Sequence, residues 1–226
     1  MGKKWDRSII VKLCPDEDVH NASKLLMNYH RVGSEFRFTS EKEANWSRFE
    51  DGCFKKLPNG PPTLSDKLMV VGHGSHDQVG LLAHGDKSGV GWTANQFAMK
   101  LWECGLKEIG LITFKCCDVG KANFLKDLST EFGNFKMKVG WLKGYTDAVH
   151  IIERDSDDVK EAGGKKGDVY AAVERPKTFF EGLSPFLSSD DYFVNYKDDR
   201  VKLVKGNTHV TITPARYKEH HGCFTD

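Results

Sequence analysis

The sequence predicts an α/β protein with a mainly parallel central sheet flanked by helices. Three observations predict it. Two near-continuous apolar runs, Leu68-Met69-Val70-Val71 and Ile109-Gly110-Leu111-Ile112-Thr113-Phe114, read as buried strands. Segments with a helical apolar period lie between and after them, at 93–103 and 121–132. This strand–helix alternation is the signature of a parallel sheet covered on both faces.

Each element has its own reason. Ser8-Ile9-Ile10-Val11-Lys12-Leu13 is rich in β-branched residues and reads as the first strand, stopped by Pro15. From Asp18 to Tyr29 the apolar residues Val19, Ala22, Leu25, Leu26 and Tyr29 recur at helical spacing. Glu35-Phe36-Arg37-Phe38-Thr39 alternates and suits an edge strand. Residues 40–64 are polar and carry Pro58-Asn59-Gly60-Pro61-Pro62, which is loop chemistry, with Trp46 and Phe49 as anchors. The strand from Lys67 to Val71 ends in Gly72-His73-Gly74-Ser75, and a glycine-rich loop follows. Thr93 and Gln96 fit a capping box opening a helix to Glu103, with Phe97, Leu101 and Trp102 on its apolar side and Gly105 as the C′ residue. The strand from Glu108 to Phe114 ends in Lys115-Cys116-Cys117-Asp118-Val119-Gly120. A helix is predicted from Lys121 to Phe132 and a strand over 136–141.

The character changes after Tyr145. Residues 1–150 form a core, and 151–226 form a C-terminal extension with short strands packed on the same domain. In that extension Arg154 to Gly167 is a charged loop, Asp168 to Val173 a short strand, and Pro176 to Ser189 an amphipathic turn. A β-meander is predicted from Tyr192–Tyr196, Arg200–Val204 and His209–Thr213.

Composition narrows the function. The 226 residues carry 33 basic and 32 acidic side chains, a net charge of +1, so no global field favours nucleic acid. No apolar run approaches the roughly 18 residues of a membrane span. The first six residues hold no apolar signal-peptide region, and Asp6 breaks a myristoylation pattern. The expected location is cytoplasmic. Six cysteines, at 14, 53, 104, 116, 117 and 223, lack the spacing of a small disulfide scaffold. His220-His221-Gly222-Cys223 lacks the paired spacing of a zinc site, so no metal is expected. The glycines over 85–91 form neither nucleotide-binding fingerprint.

The chemistry gathers at two strand ends. Open α/β sheets place their sites at the carboxyl ends of strands. Here one strand delivers His73 and another delivers Cys116 and Cys117. A thiol needs a base or a positive neighbour to act near neutral pH. Alternation separates Cys117 from Cys116, and the next helix N-terminus is expected to lower the thiol nearest it. Cys117 is the favoured nucleophile and Cys116 the alternative. Gly74 lets a carbonyl approach the backbone, so the N–H groups of Gly74 and Cys117 are the candidate oxyanion donors. Asp77 is the candidate to orient His73.

Val70-Val71-Gly72-His73-Gly74, then 91–101 (Gly-Trp-Thr-Ala-Asn-Gln-Phe-Ala-Met-Lys-Leu), then Leu111 to Gly120 resemble the caspase-like clan CD cysteine peptidases. The likeness is nearest to the self-processing cysteine protease domains of MARTX and clostridial glucosylating toxins, and covers roughly residues 7–150. It implies a caspase-like three-layer sandwich and a Cys–His dyad, carried to Cys117 and His73 with Gly74 in the oxyanion hole. It also implies a protein or peptide substrate cleaved after Leu, self-processing, and action as a toxin or effector delivered into a host cytosol. It implies no required cofactor, with inositol hexakisphosphate as an allosteric activator on a basic face such as Lys165-Lys166 or Lys197 to Lys205. The family has a small residue before the nucleophile, where this chain has Cys116. Two further readings stay open: an inactive caspase-like module that binds a protein partner, and an acyltransferase using the same dyad.

Overall fold

The computed structural model describes residues 5–81, 91–153, 169–173 and 201–211. Strand β1 (Ser8–Lys12) is built on Ile9, Ile10 and Val11, whose branched side chains suit an extended chain and are all buried. Asp16 caps helix α1 (Glu17–Tyr29), its Oδ1 accepting from the Asp18 N–H at 2.9 Å and the Val19 N–H at 3.3 Å. A 3-10 turn at Ser34–Phe36 leads into β2 (Arg37–Thr39). The polar stretch that follows holds β3 (Ser47–Arg48) and a second 3-10 turn, Cys53–Lys56. Next come β4 (Lys67–Val71) and a short hairpin of β5 (His73–Gly74) and β6 (Val79–Leu81). Then follow α2 (Ala94–Glu103), β7 (Glu108–Lys115), α3 (Phe124–Asn134) and β8 (Lys138–Tyr145). β9 (Val149–Glu153), β10 (Val169–Val173) and β11 (Val201–Lys205) complete the described elements.

Among the described residues seven strands form one sheet in the order β11-β8-β7-β4-β1-β2-β3. All neighbours are parallel except β11, which runs antiparallel to β8. The chain starts at β1, winds outward to β2, then crosses back through β4, β7 and β8. The two directions of winding put helices on opposite faces. One face is apolar. There Phe114 stacks edge-on to Phe97 of α2 and Phe124 of α3, both at 5.7 Å between ring centroids. The opposite face meets α1, whose flanks reach Lys12 through His20 and Lys67 through His30. The antiparallel pair β9–β10 packs beside α1.

Many sequence expectations hold. The capping box is present, with Thr93 Oγ1 accepting from the Gln96 N–H and Gln96 Oε1 accepting from the Thr93 N–H at 3.0 Å. Gly105 follows α2 at φ +92°, a conformation that favours glycine. Trp46 and Phe49 do anchor the polar stretch. Phe49 is buried, and Trp46 lies under Lys12 Nζ, which also pairs with Glu43.

Other expectations need correction. β2 is not the edge strand, because β3 hides inside the stretch read as loop and pairs outside it. β9 was not foreseen. Helix α3 begins at Phe124 rather than Lys121, because the chain after Cys117 first makes a turn held by Gly120 N–H to the Tyr145 carbonyl at 2.7 Å and Lys121 N–H to the Asp118 carbonyl at 2.9 Å. The predicted meander strand at 200–204 exists as β11, but it joins the main sheet. Residues 209–211 carry no strand. The loop at 154–167, the turn at 176–189 and the strand at 192–196 lie outside the described residues, as does the His220–Cys223 cluster.

The start of β4 is fixed by charge. Asp66 is fully buried, and Arg7 donates to it from Nε at 3.0 Å and Nη2 at 2.6 Å. The same guanidinium donates to the carbonyls of Gly60 and Pro61, both at 2.8 Å, and so pins the proline-rich loop. Five donors in a planar fork make arginine suited to this task.

Candidate functional site

The parallel register of β4 and β7 pairs Val71 with Lys115. Two residues beyond that pair stand His73 on one strand and Cys117 on the other, so both leave neighbouring strands at the same level of the same carboxyl rim. The backbones converge there. A Cβ placed on Gly74 would lie 2.9 Å from the Cys117 carbonyl oxygen, 2.9 Å from Cys116 Cβ and 3.0 Å from Val119 Cγ2. Only glycine fits that approach. β1, the next strand over, is followed by Leu13, Cys14, Pro15 and Asp16.

His73 is partly buried, its side chain 13% exposed, and Nε2 is shielded from solvent. Asp16 Oδ1 lies 3.3 Å from that Nε2. The same oxygen caps α1, so two backbone N–H groups hold the carboxylate against the imidazole. The carboxylate beside His73 is therefore Asp16 rather than Asp77. Asp77 is held by its own turn, accepting from Ser75 Oγ at 2.6 Å on the surface.

The three cysteines nearby differ in environment. Cys116 points into the core, its thiol 3.8 Å from the Val70 carbonyl, and burial pushes it well above the usual thiol range. Burial also raises Cys14, to about 11, against the backbone at His73. Neither supplies thiolate near neutral pH. Cys117 turns to the other side. It is 8% exposed, its sulfur accepting from the Val149 N–H at 3.4 Å and lying 4.0 Å from the Val149 carbonyl. Asp118 follows at φ +58°, a left-handed conformation that Asp tolerates, and this bends the chain off the sheet after Cys117. The thiol consequently gains no helix N-terminus: α3 begins seven residues later.

Beneath the rim the α1-side face of the sheet is unusually basic. Lys67, Thr113, Lys115, Lys143 and Tyr145 share it, and Lys67 and Lys143 are buried. Lys115 Nζ donates to the Tyr145 hydroxyl at 2.7 Å, and both it and Lys143 Nζ sit 5.2 Å from that ring's centroid. Burial lowers Lys115 to about 8 and drives Lys143 well down, with Lys115 and Lys67 adding to the latter. His30, 3.2 Å from Lys67 Nζ, is held at about 2 by burial and then by Lys67 and Lys115, so it stays neutral.

Sequence reasoning missed Asp16 and this lysine face. Asp16 carried a visible signal, an N-cap residue following a strand-ending proline. The lysines also had one: 12, 67 and 115 fall at the ends of otherwise apolar strands, and 143 interrupts one. Among the described residues no group of three or more His, Cys, Asp or Glu side chains is placed to hold a metal, and no helix is long and apolar enough to cross a membrane. Comparison of the sequence with protein-family models found no match, and comparison with curated proteins found none.

Proposed function

We propose that this chain is a caspase-like cysteine endopeptidase in which Cys117 is the nucleophile and His73 the acid–base partner. One observation carries the reading: adjacent parallel strands bring these two residues to one rim, with Gly74 pressed onto the Cys117 carbonyl. The Cys117 thiolate attacks a peptide carbonyl, and the N–H groups of Gly74 and Cys117 hold the developing oxyanion. His73 protonates the leaving amine from a position fixed by Asp16, whose Oδ1 lies 3.3 Å from Nε2. Water then hydrolyses the thioester. Cleavage after Leu, self-processing and a toxin or effector role in a host cytosol belong to the same reading. An activating inositol hexakisphosphate would draw on surface lysines such as Lys165-Lys166 or Lys197 to Lys205, since the buried Lys143 is driven toward its neutral form.

A second reading, an inactive caspase-like protein-binding module, is favoured by the low exposure of Cys117 and its engagement with Val149. A peptide ending in Leu and an electrophile separates the two, applied with and without inositol hexakisphosphate. Labelling that is lost in Cys117→Ala and reduced in His73→Ala supports the peptidase. Labelling that survives Cys117→Ala, or no labelling under either condition, rejects it.

A further inference from the structure

A second pair of thiols lies away from the rim. Cys53 opens the 3-10 turn Cys53–Lys56, and Cys104 is the C-cap of α2. The two segments are stitched by backbone hydrogen bonds, Gly52 N–H to the Glu103 carbonyl at 2.8 Å and Phe54 N–H to the Cys104 carbonyl at 2.9 Å. Those two bonds flank the cysteines and draw their backbones together, as a disulfide, which spans roughly 4.4–6.8 Å between Cα atoms, requires. Both thiols are reduced, and their side chains are hydrogen-bonded to each other.

The pair is asymmetric. The contact between the two thiols lowers Cys53 and raises Cys104, while burial works against the first shift and adds to the second. Backbone hydrogen bonds at Glu50 and Phe54 and the charge of Lys100 also favour the Cys53 thiolate. Access is asymmetric as well. Cys104 is fully enclosed, whereas Cys53 lines a surface pocket of about 270 Å³ with Phe38, the carboxylates Glu35 and Glu50 and the cations Arg48 and Lys56. A nucleophilic sulfur with a route to solvent, backed by a second sulfur without one, is the arrangement of an attacking and a resolving thiol.

We infer that Cys53 and Cys104 form a peroxide-oxidisable dithiol whose disulfide ties the 53–56 turn to the end of α2. The Cys53 sulfur attacks one oxygen of hydrogen peroxide and the O–O bond breaks. The other oxygen leaves as hydroxide, takes up a proton to become water, and Cys53 becomes a sulfenic acid. The Cys104 sulfur then attacks the Cys53 sulfur, the S–O bond breaks, and the hydroxyl leaves with the Cys104 proton as a second water. Two thiols lose two electrons to one peroxide, leaving one disulfide and two waters. The pocket is large enough to admit a small uncharged oxidant.

The test treats the whole folded chain with hydrogen peroxide and maps its disulfides by mass spectrometry without reduction. The expected result is a Cys53–Cys104 link that forms at least ten-fold faster than oxidation of Cys14 or Cys116. In Cys104→Ser, a sulfenic-acid trap such as dimedone should label Cys53. Cys53 and Cys104 recovered unlinked from the oxidised wild-type chain would overturn the proposal, even if Cys117 is oxidised. Because the sites are read separately, this outcome is independent of the peptidase reading.

Discussion

Asp16 holds two jobs with one oxygen, and two substitutions pull them apart. Its Oδ1 accepts from the Asp18 and Val19 N–H groups and lies 3.3 Å from His73 Nε2. Asp16→Ala removes both roles. Loss of the cap costs about 1 kcal/mol of stability. Asp16→Asn keeps an oxygen for the cap, since Asn caps about as well as Asp, and removes only the charge. Its stability should stay within about 0.5 kcal/mol of wild type, the loss reflecting the weaker interaction with the helix dipole. The charge matters more to the imidazolium. A partly buried ion pair lies between the roughly 1 kcal/mol of an exposed pair and the roughly 3 kcal/mol of a buried one, which corresponds to roughly five- to a hundred-fold in rate. Urea unfolding measures the first quantity, and the rate of Cys117 labelling by an electrophilic peptide measures the second. The expected pattern is slow labelling in both variants with a stability loss in Ala alone. Wild-type labelling in Asp16→Asn would show that Asp16 is merely a cap, and the orienting role would be withdrawn.

Other outcomes follow from the same packing. Lys115 falls from 10.5 to about 8 on folding, so the unfolded chain holds a proton there between those pH values that the folded chain has released. Stability from this group is therefore present above about pH 10.5 and lost as pH falls to 8, a difference of about 3 kcal/mol. Lys115→Met should stabilise the protein at pH 7 by about 1–2 kcal/mol, after about 1 kcal/mol is lost by stranding the Tyr145 hydroxyl. That gain should vanish by pH 10.5 in chemical unfolding, and an equal effect at both pH values would refute the assignment. Arg7→Met leaves the buried Asp66 carboxylate without its guanidinium and should cost about 3–5 kcal/mol, read as a shift in urea midpoint. Gly74→Ala forces a methyl against Cys116, the Cys117 carbonyl and Val119. It should lower stability by about 1–3 kcal/mol and slow labelling, and wild-type behaviour in both assays would contradict the close approach.

The parallel sheet was readable because its central strands are buried on both faces. That burial shows in sequence as the apolar runs of β4 and β7. The rim position of His73 and Cys117 was readable for the same reason, since a strand's end follows from its apolar run. What failed was anything set by a partner distant in the chain. β3 is two polar residues long, and only pairing with β2 makes it a strand. β9 exists because β10 pairs with it across an intervening stretch. Asp16 and His73 are 57 positions apart in sequence and meet because β1 lies next to β4. Asp77 was a possible orienting residue only by nearness in sequence, and its carboxylate is engaged by Ser75 in a local turn. The turn between Cys117 and α3 was missed because its hydrogen bonds go to Tyr145 and Asp147.

The central claim is that His73 and Cys117 act as one unit, and the rate of Cys117 alkylation by iodoacetamide at pH 6 tests it most directly. An ordinary thiol, with a pKa near 8.5, is less than about 1% ionised there. The account predicts rapid alkylation in the wild-type chain and a loss of at least about ten-fold in His73→Ala. Equal rates in the two proteins, both as slow as a free cysteine, would contradict it.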